Sequence, residues 1–144
     1  MVMNEEVHIV HNEQETVRIA QVFAQSIVAG DIVWFIGDVG AGKTSFIRSL
    51  VHYFSPQADV SSPTFTLEQQ YTSDQFTFYH YDFYRLADIG LARHEIEEKV
   101  AESNAVLLIE WPEISTDFLD ATKTIVFERM REGESWRRIT IKHK

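Results

Sequence analysis

The sequence contains no cysteine, only three prolines and six glycines, and no long apolar run. Each absence removes a class of protein. Without cysteine there are no disulfides and no thiolate metal sites, which suits a reducing compartment, and the cytoplasm is the expected location. No stretch approaches the roughly 18 to 20 uninterrupted apolar residues of a membrane span, and the start MVMNEEVHIV lacks the basic and apolar segments of a secretory signal, so no membrane partner is expected. Basic residues are also few: 13 Lys and Arg face 22 Asp and Glu, for a formal charge of −9. Independent gripping of a nucleic acid needs clustered cations that displace counterions from phosphate, and this balance disfavours it. Arg129, Arg131, Arg137 and Arg138 do cluster, but Glu128, Glu132 and Glu134 stand among them, the pattern of a solvated hairpin.

What is present suffices for one globular domain. The 144 residues are 44% hydrophobic and include ten Phe, five Tyr and three Trp, enough for a core. No repeat, low-complexity block or linker interrupts the chain. Its pattern alternates strands and helices. Glu6 to Val10 reads as a short strand, and Asn12 as the N-cap of a helix with Val17, Ala20, Phe23, Ala24 and Ile27 on one face and Gly30 as its stop. Asp31 to Ile36 and Ala105 to Trp111 are continuous apolar runs, as in strands of a parallel sheet buried on both faces. Lys43 to Phe54 predicts a helix with Phe46, Ile47, Leu50 and Val51 inward. Residues 64–71 and 75–82 predict two strands around a turn at Thr72-Ser73-Asp74, Glu95 to Ser103 a helix, and Lys123 to Met130 with Arg137 to His143 a closing hairpin. The expected fold class is α/β, a three-layer sandwich whose sheet is mixed, mainly parallel, with antiparallel additions.

Three of the six glycines fall within six positions of GDVGAGKT, residues 37–44. The octet fits G-x-x-x-x-G-K-[ST] at every required position and lies between a predicted buried strand and a predicted helix, the context a phosphate-binding loop requires. A random chain of this length would carry the pattern on the order of once in a few hundred cases. Residues without side chains let successive backbone N–H groups converge on an anionic oxygen, the helix N-terminus adds about half a positive charge, and Lys43 adds a full one. Asp38, Val39, Gly40, Ala41, Gly42, Lys43, Thr44 and Ser45 are therefore the candidate nucleotide contacts, with the Thr44 hydroxyl suited to Mg2+.

Two apolar strands run into a carboxylate, at Asp82 and at Glu110. In an open α/β sheet the ligand lies beyond the carboxyl ends of the strands, so both fall near the phosphates. One would hold magnesium through water and the other would orient or deprotonate a hydrolytic water; Thr44, Asp82 and Glu110 are the candidate metal-side groups. A P-loop small-molecule kinase is an alternative, though Arg48 and Arg85 are its only evident phosphate clamps. A non-hydrolysing nucleotide switch or assembly module is another. A GTPase lacks its Asn-Lys-x-Asp reader.

Four segments, GDVGAGKT, SPTFTL (62–67), HYDFYRL (80–86) and LIEWPE (108–113), stand in an order and spacing that resembles the TsaE (YjeE) family, small bacterial P-loop ATPases of tRNA threonylcarbamoyladenosine (t6A37) biosynthesis. The resemblance covers roughly residues 12–113. It implies ATP and ADP as ligands with Mg2+, Lys43 and Thr44 on the phosphates and metal, Asp82 and Glu110 as the acidic pair for hydrolysis, and Thr64 in a nucleotide-sensing switch. It also implies that Glu13 and Thr16 lie near the base and that Arg137 matches a late family arginine; ordinary helix-start chemistry accounts equally for Glu13 and Thr16. His80 is expected to pack and hydrogen-bond beside Asp82. The implied partners are the TsaB and TsaD proteins, with tRNA met only through that complex. Ser45 stands where the family often has Thr, and residues 88–98 fit the family's acidic, leucine-rich helix poorly.

Overall fold

The computed structural model describes residues 4–61, 63, 67–90 and 92–144. Seven strands form one sheet: β1 (Asn4–Val10), β2 (Ile32–Ile36), β3 (Glu68–Thr72), β4 (Thr77–Asp82), β5 (Ala105–Glu110), β6 (Lys123–Arg129) and β7 (Arg137–His143). The helices are α1 (Glu13–Ala24), α2 (Lys43–Phe54) and α3 (Ala92–Val100), with a short 3-10 turn at Pro112–Ser115. The strand order is β1-β7-β6-β2-β5-β4-β3. The central strands β6, β2, β5 and β4 run parallel. The ladders of β7 on β6, β1 on β7 and β3 on β4 are antiparallel. The expected α/β class with antiparallel additions is the observed one.

The period-2 alternation of each central strand divides its side chains between two cores. Val33, Phe35, Phe78, Val106, Leu108, Ile125 and Phe127 face α1 and α2. Ile32, Tyr79, Tyr81, Leu107 and Ile109 face the other way, toward Ile96 of α3 and Leu119. Phe46 ties the first layer to the start of α2. Its ring meets Phe23, Phe35 and Phe127 at centroid distances of 5.7, 5.9 and 5.6 Å. Burying one such ring is worth about 1.5–3 kcal/mol, so the first turn of α2 is held from below.

Helix α1 begins as its residues predict. Asn12 is extended at φ −156° and its side chain accepts from the Glu15 N–H, while Glu13 and Glu15 oppose the dipole of the first turn. The helix ends at Ala24, short of the expected stop at Gly30, although Ile27 is still buried. Thr16 is buried and Val17 only half so, because Thr16 turns toward the loop that follows β2. The hairpin turn falls at Ser73–Phe76, one residue later than expected: Ser73 Oγ accepts from the Gln75 and Phe76 N–H groups and the Ser73 N–H donates to the Phe76 carbonyl. Helix α3 begins three residues before the expected Glu95, following a turn in which Asp88 accepts from the Gly90 N–H. Among the described residues no helix is long and apolar enough to cross a membrane.

The end of the sheet opposite the glycine loop carries a buried ion pair. Lys123 Nζ lies 2.6 Å from Asp31 Oδ2, and that carboxylate also accepts from the Thr122 hydroxyl and the Val28 N–H, so all its neighbours are donors. Asp31 therefore caps the entry to β2 where an additional strand residue was expected. Breaking a buried pair strands the surviving charge. Lys123→Met is expected to lower unfolding stability by roughly 3 kcal/mol in urea titrations, and adding Asp31→Asn to recover part of that loss.

Candidate functional site

The loop between β2 and α2 passes through backbone that L side chains rarely adopt at Gly40 (φ +78°) and Gly42 (φ +109°), among other positions. Gly42 occupies the N-cap position of α2, where no side chain caps the helix. The first helical turn therefore presents its N–H groups to the space in front of it. The loop's carbonyls are taken up behind. Arg129 Nη2 donates to the Val39 carbonyl at 2.8 Å and Arg137 Nε to the Ala41 carbonyl at 3.2 Å. The Asp38 carbonyl accepts from the Ala41 N–H. Arg129 and Arg137 thus brace the loop and are not the solvated decoration their acidic surroundings suggested; of the cluster, Arg138 does stand near Glu128, at 3.9 Å.

Lys43 is buried and bends back over the loop. Its ammonium donates to the Gly37 carbonyl and lies 4.1 Å from the centre of the Trp111 ring. Burial pushes its pKa below the ordinary lysine value, against the opposing fields of Glu110, Asp82, Glu113 and Asp38. Trp111 adopts a left-handed conformation at φ +55°, uncommon for a bulky residue, and packs on Tyr84 with ring centroids 4.7 Å apart.

The two acidic residues meet because of strand register. Asp82 and Glu110 are Cα partners in the parallel β4–β5 ladder, and Phe35, the penultimate residue of β2, is the partner of Glu110 on its other side. Both carboxylates therefore sit on the α1/α2 face at the carboxyl edge, and both residues are buried. Asp82 Oδ1 accepts from the Tyr84 N–H at 2.9 Å. Glu110 Oε2 lies 2.8 Å from His80 Nε2, so His80 packs and hydrogen-bonds beside Asp82 as expected, with Glu110 as its partner.

These groups line a cavity of about 350 Å³ formed by Val39, Gly40, Gly42, Lys43, Thr44, Ser45, Asp82, Tyr84, Arg85, Glu110 and Trp111. A second hollow of about 190 Å³ adjoins it across Gly42 and Ser45, lined by Asn12, Glu13, Thr16, Ala41, Ser135 and Arg137. Ser45 Oγ donates to Glu13 Oε1 at 2.8 Å, joining α2 to the start of α1. The predicted residues Glu13, Thr16, Ala41 and Arg137 are thus together, one step to the side of the acidic pair. Asp38 is exposed and lines neither hollow; it acts on Lys43 through its charge. Arg48 lines neither hollow, whereas Arg85 lines the larger. Thr64 lies outside the described residues.

The donor set suits a phosphate chain with a hard divalent cation. Around the uncapped helix start stand the Lys43 ammonium, the Thr44 and Ser45 hydroxyls and the Asp82 and Glu110 carboxylates, all lining one cavity together with Arg85. Among the described residues no three His, Cys, Asp or Glu side chains are grouped to hold a metal by themselves. Magnesium, which keeps several waters and takes one or two carboxylates plus substrate phosphates, fits such a site.

Known proteins resemble this chain in sequence and in fold. The family profile described as TsaE, threonylcarbamoyl adenosine biosynthesis protein TsaE, matches residues 10–139. A protein of Rickettsia felis called tRNA threonylcarbamoyladenosine biosynthesis protein TsaE is 43% identical over 107 residues, covering 74% of this chain but only 62% of that protein. The protein of the same name from Rickettsia prowazekii is 34% identical over 138 residues, covering 95% of this chain and 94% of its own. In three dimensions the crystal structure of Bacillus subtilis YdiB superposes with a TM-score of 0.76 at 25% identity, over 99% of this chain and 88% of that one. A profile spanning residues 10–139, from α1 through β6 and into the start of β7, with the loop and the acidic pair inside it, makes this chain a member of the TsaE family.

Proposed function

We propose that this protein binds ATP with magnesium and hydrolyses it to ADP and phosphate in support of threonylcarbamoyladenosine formation on tRNA, acting with TsaB and TsaD. The observation that carries the reading is the meeting of Asp82 and Glu110, level in the sheet, with Lys43 and the uncapped start of α2 in one cavity. The loop amides and Lys43 bind the phosphates, and the Thr44 hydroxyl and one carboxylate face the metal side. The other carboxylate holds the attacking water or accepts its proton. Bound magnesium would neutralise charge developing on the phosphate oxygens. The smaller hollow, with Glu13, Thr16 and Arg137 at its walls, is the place for the nucleoside.

The relatives' names carry the tRNA pathway to this chain. A net charge of −9 agrees with docking on protein partners and with meeting tRNA only through them. In the kinase alternative two arginines would clamp a transferred phosphate, and only Arg85 lines the cavity.

Lys43→Ala is expected to weaken ADP binding about 100-fold by calorimetry, since it removes the cation facing the phosphates. Glu110→Gln is expected to keep nucleotide affinity while lowering turnover by about 100-fold or more, which a non-hydrolysing module would not show. Wild-type turnover should rise when TsaB and TsaD are added, should cease on chelation of magnesium, and should release inorganic phosphate with no phosphorylated acceptor. Absence of hydrolysis by folded protein in the complete mixture would overturn the reading.

A further inference from the structure

Beneath the acidic pair lies a buried histidine that the proposed reaction leaves without a task. His80 is inaccessible to solvent and precedes Asp82 by two residues on the same face of β4. Its Nε2 is 2.8 Å from Glu110 Oε2, while its Nδ1 is buried and has no hydrogen-bond partner among the described residues. A carboxylate only accepts, so the shared proton resides on Nε2. The opposite tautomer would set two acceptors against each other at Glu110 and bury an orphaned N–H at Nδ1. The environment therefore selects one tautomer. His80 does not line the cavity, but Glu110 does.

We propose that His80 is a positioning residue for Glu110: its Nε2–H ties down Oε2, holding the carboxylate in one orientation and leaving Oε1 as the oxygen offered to the cavity. A glutamate side chain has three rotatable bonds, and an untied one would spread over several rotamers. Asp82 receives comparable help from its own turn, through the Tyr84 N–H. Glu110 ends a strand and has no such local donor, so the donor comes from the neighbouring strand through the diagonal of the parallel ladder. What Glu110 then does rests on the ATPase reading above; the hydrogen bond does not.

Two measurements on the full chain test this separately. Long-range 1H–15N spectra of the nucleotide-free protein, with the His80 signals assigned by their loss in His80→Phe or His80→Asn, are expected to show the proton on Nε2 and none on Nδ1. A proton on Nδ1 alone would overturn the proposal whatever the enzyme does. In turnover assays with TsaB and TsaD, His80→Phe and His80→Asn are expected to lower kcat about 10- to 100-fold, with ATP KM and ADP affinity within about threefold of wild type. Gln carries its amide nitrogen about as far along the side chain as imidazole Nε2, so His80→Gln should restore kcat to within about fivefold of wild type, where Asn, reaching only the Nδ1 position, should not. Equal losses in Gln and Asn, wild-type kcat in Asn, or a loss confined to nucleotide affinity would each overturn it. The Gln and Asn pair carries the comparison if the Phe variant does not fold. A wild-type mixture without hydrolysis would sink the ATPase reading and leave His80 to be judged by the spectrum.

Discussion

A loop that offers its N–H groups to a ligand must find other partners for its carbonyls, and the rest of the site is arranged around that requirement. Between β2 and α2 the solution is side chains from far along the chain. Arg129 and Arg137 flank the β6–β7 turn, some ninety residues after the loop; Arg129 takes the Val39 carbonyl and Arg137 those of Ala41 and Gly40. Planar donor forks on antiparallel strands make a firmer brace than a mobile lysine would. The hairpin that looks like an appendage to a parallel sheet is thus a structural wall of the loop. Its ladder with β1, seven Cα pairs long, fixes it against the edge of the sheet.

The acidic pair depends on a different constraint, the register of three strands. Phe35, Glu110 and Asp82 lie level across β2, β5 and β4, each about 4.8 Å from the next in the hydrogen-bonding direction. That places both carboxylates within about 10 Å of the end of β2. A shift of one residue in either ladder would send a carboxylate into the opposite core, among Tyr79, Tyr81 and Ile109. The chemistry therefore relies on the packing that fixes the register, including Phe78, Val106 and Leu108 beneath the site.

Much of this was readable from the residues. The unbroken apolar runs of β2 and β5, the Asn12 cap and the glycine loop are local patterns with local causes, and they fell within a residue or two of their expected places. The start of α3 did not, because its first turn follows from Asp88 folding onto Gly90 and not from an apolar period. Arg129 as a loop brace and His80 as the partner of Glu110 were not legible at all. Both are long-range contacts, 90 and 30 residues apart in sequence, and nothing in the neighbourhood of either residue announces its partner. The acidic residues around the arginines pointed toward surface pairing, and only the sheet order brings the hairpin to the loop.

The distribution of partners around Lys43 explains how a buried cation can remain available for a phosphate. Two carboxylates line the same cavity, and a tight ion pair with either would have to be broken before an anion could take the ammonium. The fold gives Glu110 the His80 imidazole and Asp82 the Tyr84 amide, and lays the ammonium on a carbonyl and an indole face. Those partners carry no net charge: the indole contact is worth about 0.5–2 kcal/mol, and a carbonyl dipole gives less than the full ion pair an anionic phosphate would form with the ammonium. Burial has already lowered the lysine's pKa, so an incoming anion, by favouring the charged form, would regain part of what desolvation took. On the proposed reading the left-handed turn at Trp111 serves this arrangement, since it holds the indole where Lys43 can rest without engaging the acids.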